Sequence, residues 1–172
     1  MIALDHNKGI NGGNTMSLST NQLSTKLDTI SDYFVLKSTE VGRPITNKKI
    51  QKLAYYSQAW HLVFNDGSGL FDDPIEAWMH GPAIRNLWHK YKKCGYQPIR
   101  SVPSTISIDD DTKSLLDEIW RVYGKHDAEY LETLTHSEAP WLNARGGLET
   151  DTSSSIVIKN QDMRQYYSTL NA

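Results

Sequence analysis

His61, His80 and His89 fall within thirty residues of one another, close in sequence to Asp72, Asp73 and Glu76. Imidazoles and carboxylates bind zinc or iron, and imidazole exchanges protons near neutral pH, so metal-assisted or acid–base chemistry is the first possibility to weigh. Such ligand sets have short, regular spacings, for example two histidines one helical turn apart with a glutamate between them. None of these residues follows such a spacing. The stretch PIEAWMHGPAIRNLW, residues 74–88, concentrates the question, because it holds two tryptophans, His80 and a Gly-Pro pair.

Nucleophilic chemistry finds no better support. The only cysteine, Cys94, stands at the C-terminal end of an expected helix, a position that does not activate a thiol. A single cysteine also rules out an intramolecular disulfide and a cysteine-rich zinc site. The DGSG run at 66–69 is not a nucleophile elbow, and no glycine pattern for phosphate or dinucleotide binding occurs. The residues therefore imply a protein that is not an enzyme and carries neither cofactor nor catalytic metal.

A basic patch is a further option. Lys48, Lys49 and Lys52 precede Arg85, Lys90, Lys92 and Lys93, and together they could touch DNA. The formal net charge of −2 supplies no general attraction to nucleic acid or to an acidic membrane, and lysines on one helix face ordinarily form a solvated surface.

The elements that must position these groups follow from periodicity. The chain has 172 residues, 38% of them apolar and 22% charged, which suits one soluble domain. Residues 1–25 are polar and without period, and are expected to be disordered. The apolar run Met1–Leu4 is too short for a signal peptide or a membrane span. With the single cysteine, this leads us to expect a cytoplasmic protein.

A first helix is expected around Leu27, Ile30 and Phe34, and a second, capped by Thr46 or Asn47, carries Ile50, Leu53, Trp60 and Phe64. Ile75–Trp78 forms a small extended piece. Pro82 is expected at the first position of a third helix with Ala83, Ile84, Leu87, Trp88 and Tyr91 on its apolar side. Residues 96–108 read as a loop or small hairpin. Asp109 or Asp110 caps a fourth helix, and a fifth runs from Asp127 until Pro140 breaks it. Trp141–Ala144 then makes a short turn, Ile156–Ile158 a short strand, and Asn160 caps a last helix. The fold class is mainly α: a compact single-domain bundle of about six helices with at most a small β element.

Five tryptophans and nine tyrosines are many. The tryptophans fall mostly on the apolar stripes and are expected in the core. Tyr55 and Tyr56 are neighbours on a helix, about 100° apart, so at least one is expected at the surface.

The residues Lys49-Ile50-Gln51-Lys52-Leu53, Tyr55-Tyr56, Gln58, Trp60, Leu70-Phe71, Ile75-Glu76-Ala77-Trp78 and Gly81-Pro82, with Thr135–Trp141 (THSEAPW), carry a resemblance. Over most of residues 28–170 the chain is similar to the Panacea domain, the SocA-like antitoxin family of bacteria and phages. The N-terminal tail is unmatched, and Ala83 stands where a β-branched residue is usual. The resemblance implies a helical antitoxin domain over 26–172 that neutralises a toxin by direct protein–protein binding. The cognate toxin is expected from an adjacent gene, and in a variant of this role the domain delivers its toxin to a cytosolic protease.

Within this reading, Tyr55, Tyr56, His80 and Arg85 are the candidate partner-binding residues. Trp60, Glu76, Trp78, Gly81 and Pro82 form the structural motif, with Trp78 packed on the helix of Trp60 and His80 partly exposed beside it. The alternative is a DNA-binding regulator of a phage or mobile element.

Overall fold

The computed structural model describes residues 25–101 and 105–171. The expected disorder of the N-terminal tail falls outside these residues, except for Thr25, which is ordered. Its hydroxyl oxygen accepts from the Asp28 amide and the Asp28 carboxylate accepts from its own amide, a capping box that opens helix α1 (Lys26–Glu40). Thr46 caps α2 (Asn47–Phe64) by accepting from the Lys49 amide.

Next comes a two-stranded antiparallel hairpin, β1 (Ile75–Trp78) and β2 (Gly81–Ile84), in the register Ile75↔Ile84 to Trp78↔Gly81. Helix α3 (Arg85–Tyr91) runs into a 3-10 turn, Lys92–Cys94. Asp109 caps α4 (Asp110–Tyr123) and Asp127 caps α5 (Ala128–His136). Two further helices, α6 (Ala139–Arg145) and α7 (Asn160–Leu170), complete the described chain.

The mainly helical expectation holds, with three corrections. Pro82 does not start a helix. Gly81 turns the chain with φ +88°, and Pro82, Ala83 and Ile84 run as a strand opposite β1, so α3 begins only at Arg85. Pro82 is tolerated there because it faces Ala77 across a short edge and owes no amide to a further strand. Second, Pro140 begins a helix where the sequence suggested only a break and a turn. It lies in the first turn of α6, where a missing amide costs nothing, and this raises the count among the described residues to seven. Third, Lys159 and not Asn160 occupies the cap of α7.

The extended piece at 156–158 is held at one point, an antiparallel bridge between Val157 and Glu76. The Ala77 amide donates to Ile156 O and the Ile158 amide to Ile75 O, both at 2.8 Å. Strand β1 is thus covered on both edges. In the described part of 96–108 no strand forms. Ile99 is buried there and its amide donates to Ile45 O.

Helix α2 is the axis of the domain. Helices α1, α3, α4, α5 and α7 and strand β2 all pack on it, and thirteen of its eighteen residues are buried. A helix this deeply buried has no broad solvated face, which corrects the reading of Lys49 and Lys52. Lys49 is buried, donates to Gly124 O at 2.7 Å and lies over the Trp120 ring. Lys52 is buried and donates to Pro82 O at 2.9 Å. Gln58 closes the loop before β1, its Oε1 accepting from the Leu70 and Phe71 amides.

The C-terminal third clamps the hairpin. Trp141 Nε1 donates to Trp78 O at 3.0 Å. Arg145 is 2% exposed; its guanidinium donates to Ala77 O at 3.1 Å and to Glu149 O and Thr152 O at 2.5 and 2.7 Å, and it lies over the Trp141 ring. Among the described residues no carboxylate pairs with it, so its hydrogen bonds all go to backbone carbonyls. Arg145→Met keeps similar bulk but leaves these acceptors without donors. We expect it to lower unfolding free energy by about 2–4 kcal/mol, measured as a shift of the urea midpoint. An unchanged midpoint would show that the guanidinium does not hold the hairpin.

Candidate functional site

Glu76 organises the hairpin. Its buried carboxylate accepts from Trp78 Nε1 at 2.7 Å and, through both oxygens, from Arg85 Nε and Nη2 at 3.0 and 2.6 Å. A two-pronged guanidinium–carboxylate pair fixes both side chains in one plane. Arg85 then lies over the Trp78 ring, Trp78 meets Trp88 edge to face at 6.0 Å, and Lys92 lies over Trp88. Two cations and two indoles alternate along this face, each ring face turned to a positive group. Trp88 is 39% exposed, not core as its position in the sequence suggested.

Beside this row is a cleft of about 370 Å³ walled by Trp78, Ala83, Trp88 and Tyr96. Its polar lining includes Lys48, Lys52, His80 and Lys92. Tyr96 is 90% exposed at its rim. Lys52 reaches it from α2, and burial drives its pKa down to about 7, with attraction by Glu132 opposing this and repulsion by Lys48 adding to it. Gly81 is required here. Its φ is +88°, and a Cβ would stand 2.7 Å from Thr135 Oγ1 and 2.9 Å from Lys52 Nζ. His80 is exposed, with Nδ1 3.0 Å from Glu132 Oε1, and Glu132 also pairs with Lys48.

A second polar group lies deep in the interior. Glu138, 5% exposed, accepts from Tyr167 at 2.7 Å and from Tyr56 at 3.3 Å, and the Tyr167 and Tyr55 hydroxyls lie 3.2 Å apart. The Tyr56 ring stacks on Tyr123 at 3.8 Å. Burial pushes the Glu138 carboxyl up to about 7, against the lowering effect of its tyrosine donors.

Both Tyr55 and Tyr56 have no exposed surface, which corrects the expectation that one reaches solvent. Neighbouring helices pack around α2 at this level, and Glu138 and Tyr167 supply the hydroxyls with partners. Of the candidate binding residues, only His80 and Arg85 are exposed, on the hairpin and at the start of α3.

Trp60 is half-buried, donates to the Tyr123 hydroxyl at 3.0 Å and packs on Tyr167. Trp78 lines a cleft with the N-terminal half of α2, near Gln51 and Lys52, while its aromatic partner is Trp88 on α3.

His61, His80 and His89 do not converge. His61 meets Ser68 O, and His89 meets Lys92. Among the described residues no three His, Cys, Asp or Glu side chains form a metal-ligand group. The basic patch does not assemble as an open surface: Lys49 and Lys52 are buried, Lys48 pairs with Glu132, Arg85 with Glu76, and Lys90 with Asp28 and Asp32, and of the set only Lys48, Lys52 and Lys92 meet, at the cleft. Sequence reasoning missed Lys52 and Glu138. Both sit inside quoted motifs, but nothing in the spacing distinguishes a buried lysine from a solvated one.

These features define a mainly helical domain built on one enclosed helix, with a small hairpin set beside an aromatic, cation-lined cleft. No helix among the described residues is long and apolar enough to cross a membrane. The chain belongs to the family described as antitoxin SocA-like, Panacea domain, whose model matches residues 50–142, over half of its length. The match covers α2 from Ile50 onward, the hairpin and Glu138, while Lys48 of the cleft and Tyr167 of the Glu138 cluster lie outside it. No curated protein and no solved structure matches the chain.

Two of the buried titratable groups, Glu138 and Lys52, have folded values near neutrality and act on stability in opposite senses. Glu138 has an ordinary value of 4.5 and a folded value of about 7. Between these the native state holds the extra proton, so stability falls as pH rises through the window, at most by about 1.4 kcal/mol per unit. Lys52 drops from 10.5 to about 7. Between those values the unfolded state holds the extra proton, so this contribution rises with pH and is lost as pH falls through 7. We expect Glu138→Gln to flatten the decline between pH 5 and 7, and Lys52→Met to flatten the rise above pH 7. Denaturant titrations from pH 5 to 9 measure both; slopes equal to those of the unaltered protein would remove these groups as the cause.

Proposed function

We propose that this protein is the antitoxin of a toxin–antitoxin pair and neutralises its toxin by direct binding, without catalysis of its own. The family match carries this reading. The exposed row beside the hairpin suits it, because aromatic and arginine side chains around a desolvated centre supply most of the energy of protein interfaces. Glu76 is saturated by Trp78 and Arg85, and His80 is engaged by Glu132. These groups therefore serve to hold a surface in shape. The toxin is taken to be the product of an adjacent gene, met in the cytoplasm, and delivery of the bound toxin to a protease is a variant of the same role. DNA regulation is the weaker reading, since most of the cations it would need are buried or already paired.

Co-expression with the adjacent reading frame tests this reading. The frame should be toxic alone, tolerated with this protein, and co-purify with it. Trp88→Ala and Tyr96→Ala should each weaken the complex by about 2 kcal/mol, roughly thirtyfold, with nearly unchanged melting temperature. Full affinity in both folded variants would move the binding face elsewhere.

A further inference from the structure

We propose that the cleft between Trp78, Trp88 and Tyr96 is a carboxylate-binding site, occupied by an acidic side chain of the partner polypeptide next to an apolar one, with Lys52 as the pairing group at its floor. This rests on the antitoxin reading and names what that partner must present.

Three observations carry the proposal. First, Lys52 is 2% exposed yet has a single acceptor, Pro82 O at 2.9 Å. An ammonium group has three hydrogens to donate, and a buried cation is ordinarily paired. The carboxylate that attracts it, Glu132, bonds Lys48 and His80 instead. Second, the residues lining the cleft include Lys48, Lys52, His80 and Lys92 and no carboxylate. A carboxylate is therefore the complementary group that is missing. Third, the walls are aromatic and stand open, with Trp88 at 39% and Tyr96 at 90% exposure. A volume of about 370 Å³ holds a side chain and part of its neighbour. The exposed rim leaves room for the chain to continue on both sides, which suits a polypeptide better than an enclosed small molecule.

The occupant must meet a charged Lys52, so binding draws a proton onto this amine above neutral pH. The charged and titratable groups facing Lys52 are Lys48 on its own helix and Glu132 and His136 on α5, with His80 and Lys92 across the cleft.

The first test needs no toxin. 3-Phenylpropionate and its uncharged counterpart 3-phenylpropanol are titrated while the Gly81 amide and the Trp78 and Trp88 indole signals are followed by NMR. The acid should give saturable shifts and bind at least about tenfold more tightly than the alcohol. Its advantage should shrink between pH 6.5 and 8.5, persist in His80→Gln and vanish in Lys52→Met. Should Lys52→Met not fold, the acid–alcohol pair and the pH series on the unaltered protein decide. Equal affinity for acid and alcohol overturns the site.

The second test is calorimetry with the product of the adjacent reading frame at pH 8, in two buffers of different ionisation enthalpy. Uptake of about one proton that disappears in Lys52→Met supports the polypeptide occupant. Binding without proton uptake overturns the occupant and leaves the antitoxin reading standing. No binding by the unaltered protein overturns both.

Discussion

The Ile84 amide donates to Gln51 Oε1 at 2.7 Å, and one residue further along α2, Lys52 donates to Pro82 O. The rest of the structure depends on this pair of contacts. An enclosed helix satisfies its own backbone, but the irregular segments packed on it do not satisfy theirs. Helix α2 therefore carries the polar groups its neighbours lack. Gln51 and Lys52 hold β2, Gln58 holds the loop before β1, and Lys49 holds the end of α4 at Gly124. An apolar α2 would leave each of these backbone groups buried and unpaired, at about 1–3 kcal/mol apiece.

This constraint also separates what the sequence made legible from what it did not. Caps and period placed most helices correctly, because Thr46 and Asp109 act locally. The extended piece Ile75–Trp78 was legible as well. The residues that failed to read correctly have roles set by distant partners. Lys52 looks like any surface lysine until β2 lies over it. Tyr55 and Tyr56 cannot both point one way, yet both are buried because α2 has neighbours on all sides. Pro82 fits a helix start by local rules, and only its pairing with Ala77 makes it a strand residue. The resemblance to the antitoxin family was readable because its pieces recur together, although their physical roles could not be assigned one by one.

Glu138 and Lys52, both buried and ionisable, differ in their surroundings. Glu138 is closed in by Tyr56 and Tyr167 and takes hydrogen bonds from both. Its environment is complete, and its job is to fix the packing of α7 and the start of α6 on α2. Lys52 is equally deep but borders a cleft with one acceptor in place. Depth alone says little about purpose; a completed set of partners marks a structural group, and an incomplete one beside open space marks a group positioned for a ligand.

The clamp on the hairpin has a temporal consequence. Trp78 is held by Trp141, sixty-three residues later, and the free edge of β1 is closed by Ile156 and Ile158. During synthesis the first half of the chain emerges from the ribosome with β1 uncovered, and the segments that cover it follow only seconds later at ordinary elongation rates. The cleft beside the hairpin therefore takes its final shape only after Trp141 and residues 156–158 have been made. A nascent or prematurely terminated chain that stops before α6 has the aromatic residues but not the surface they form. Under the proposed antitoxin role, a chain cut before α6 would not present this surface to its toxin.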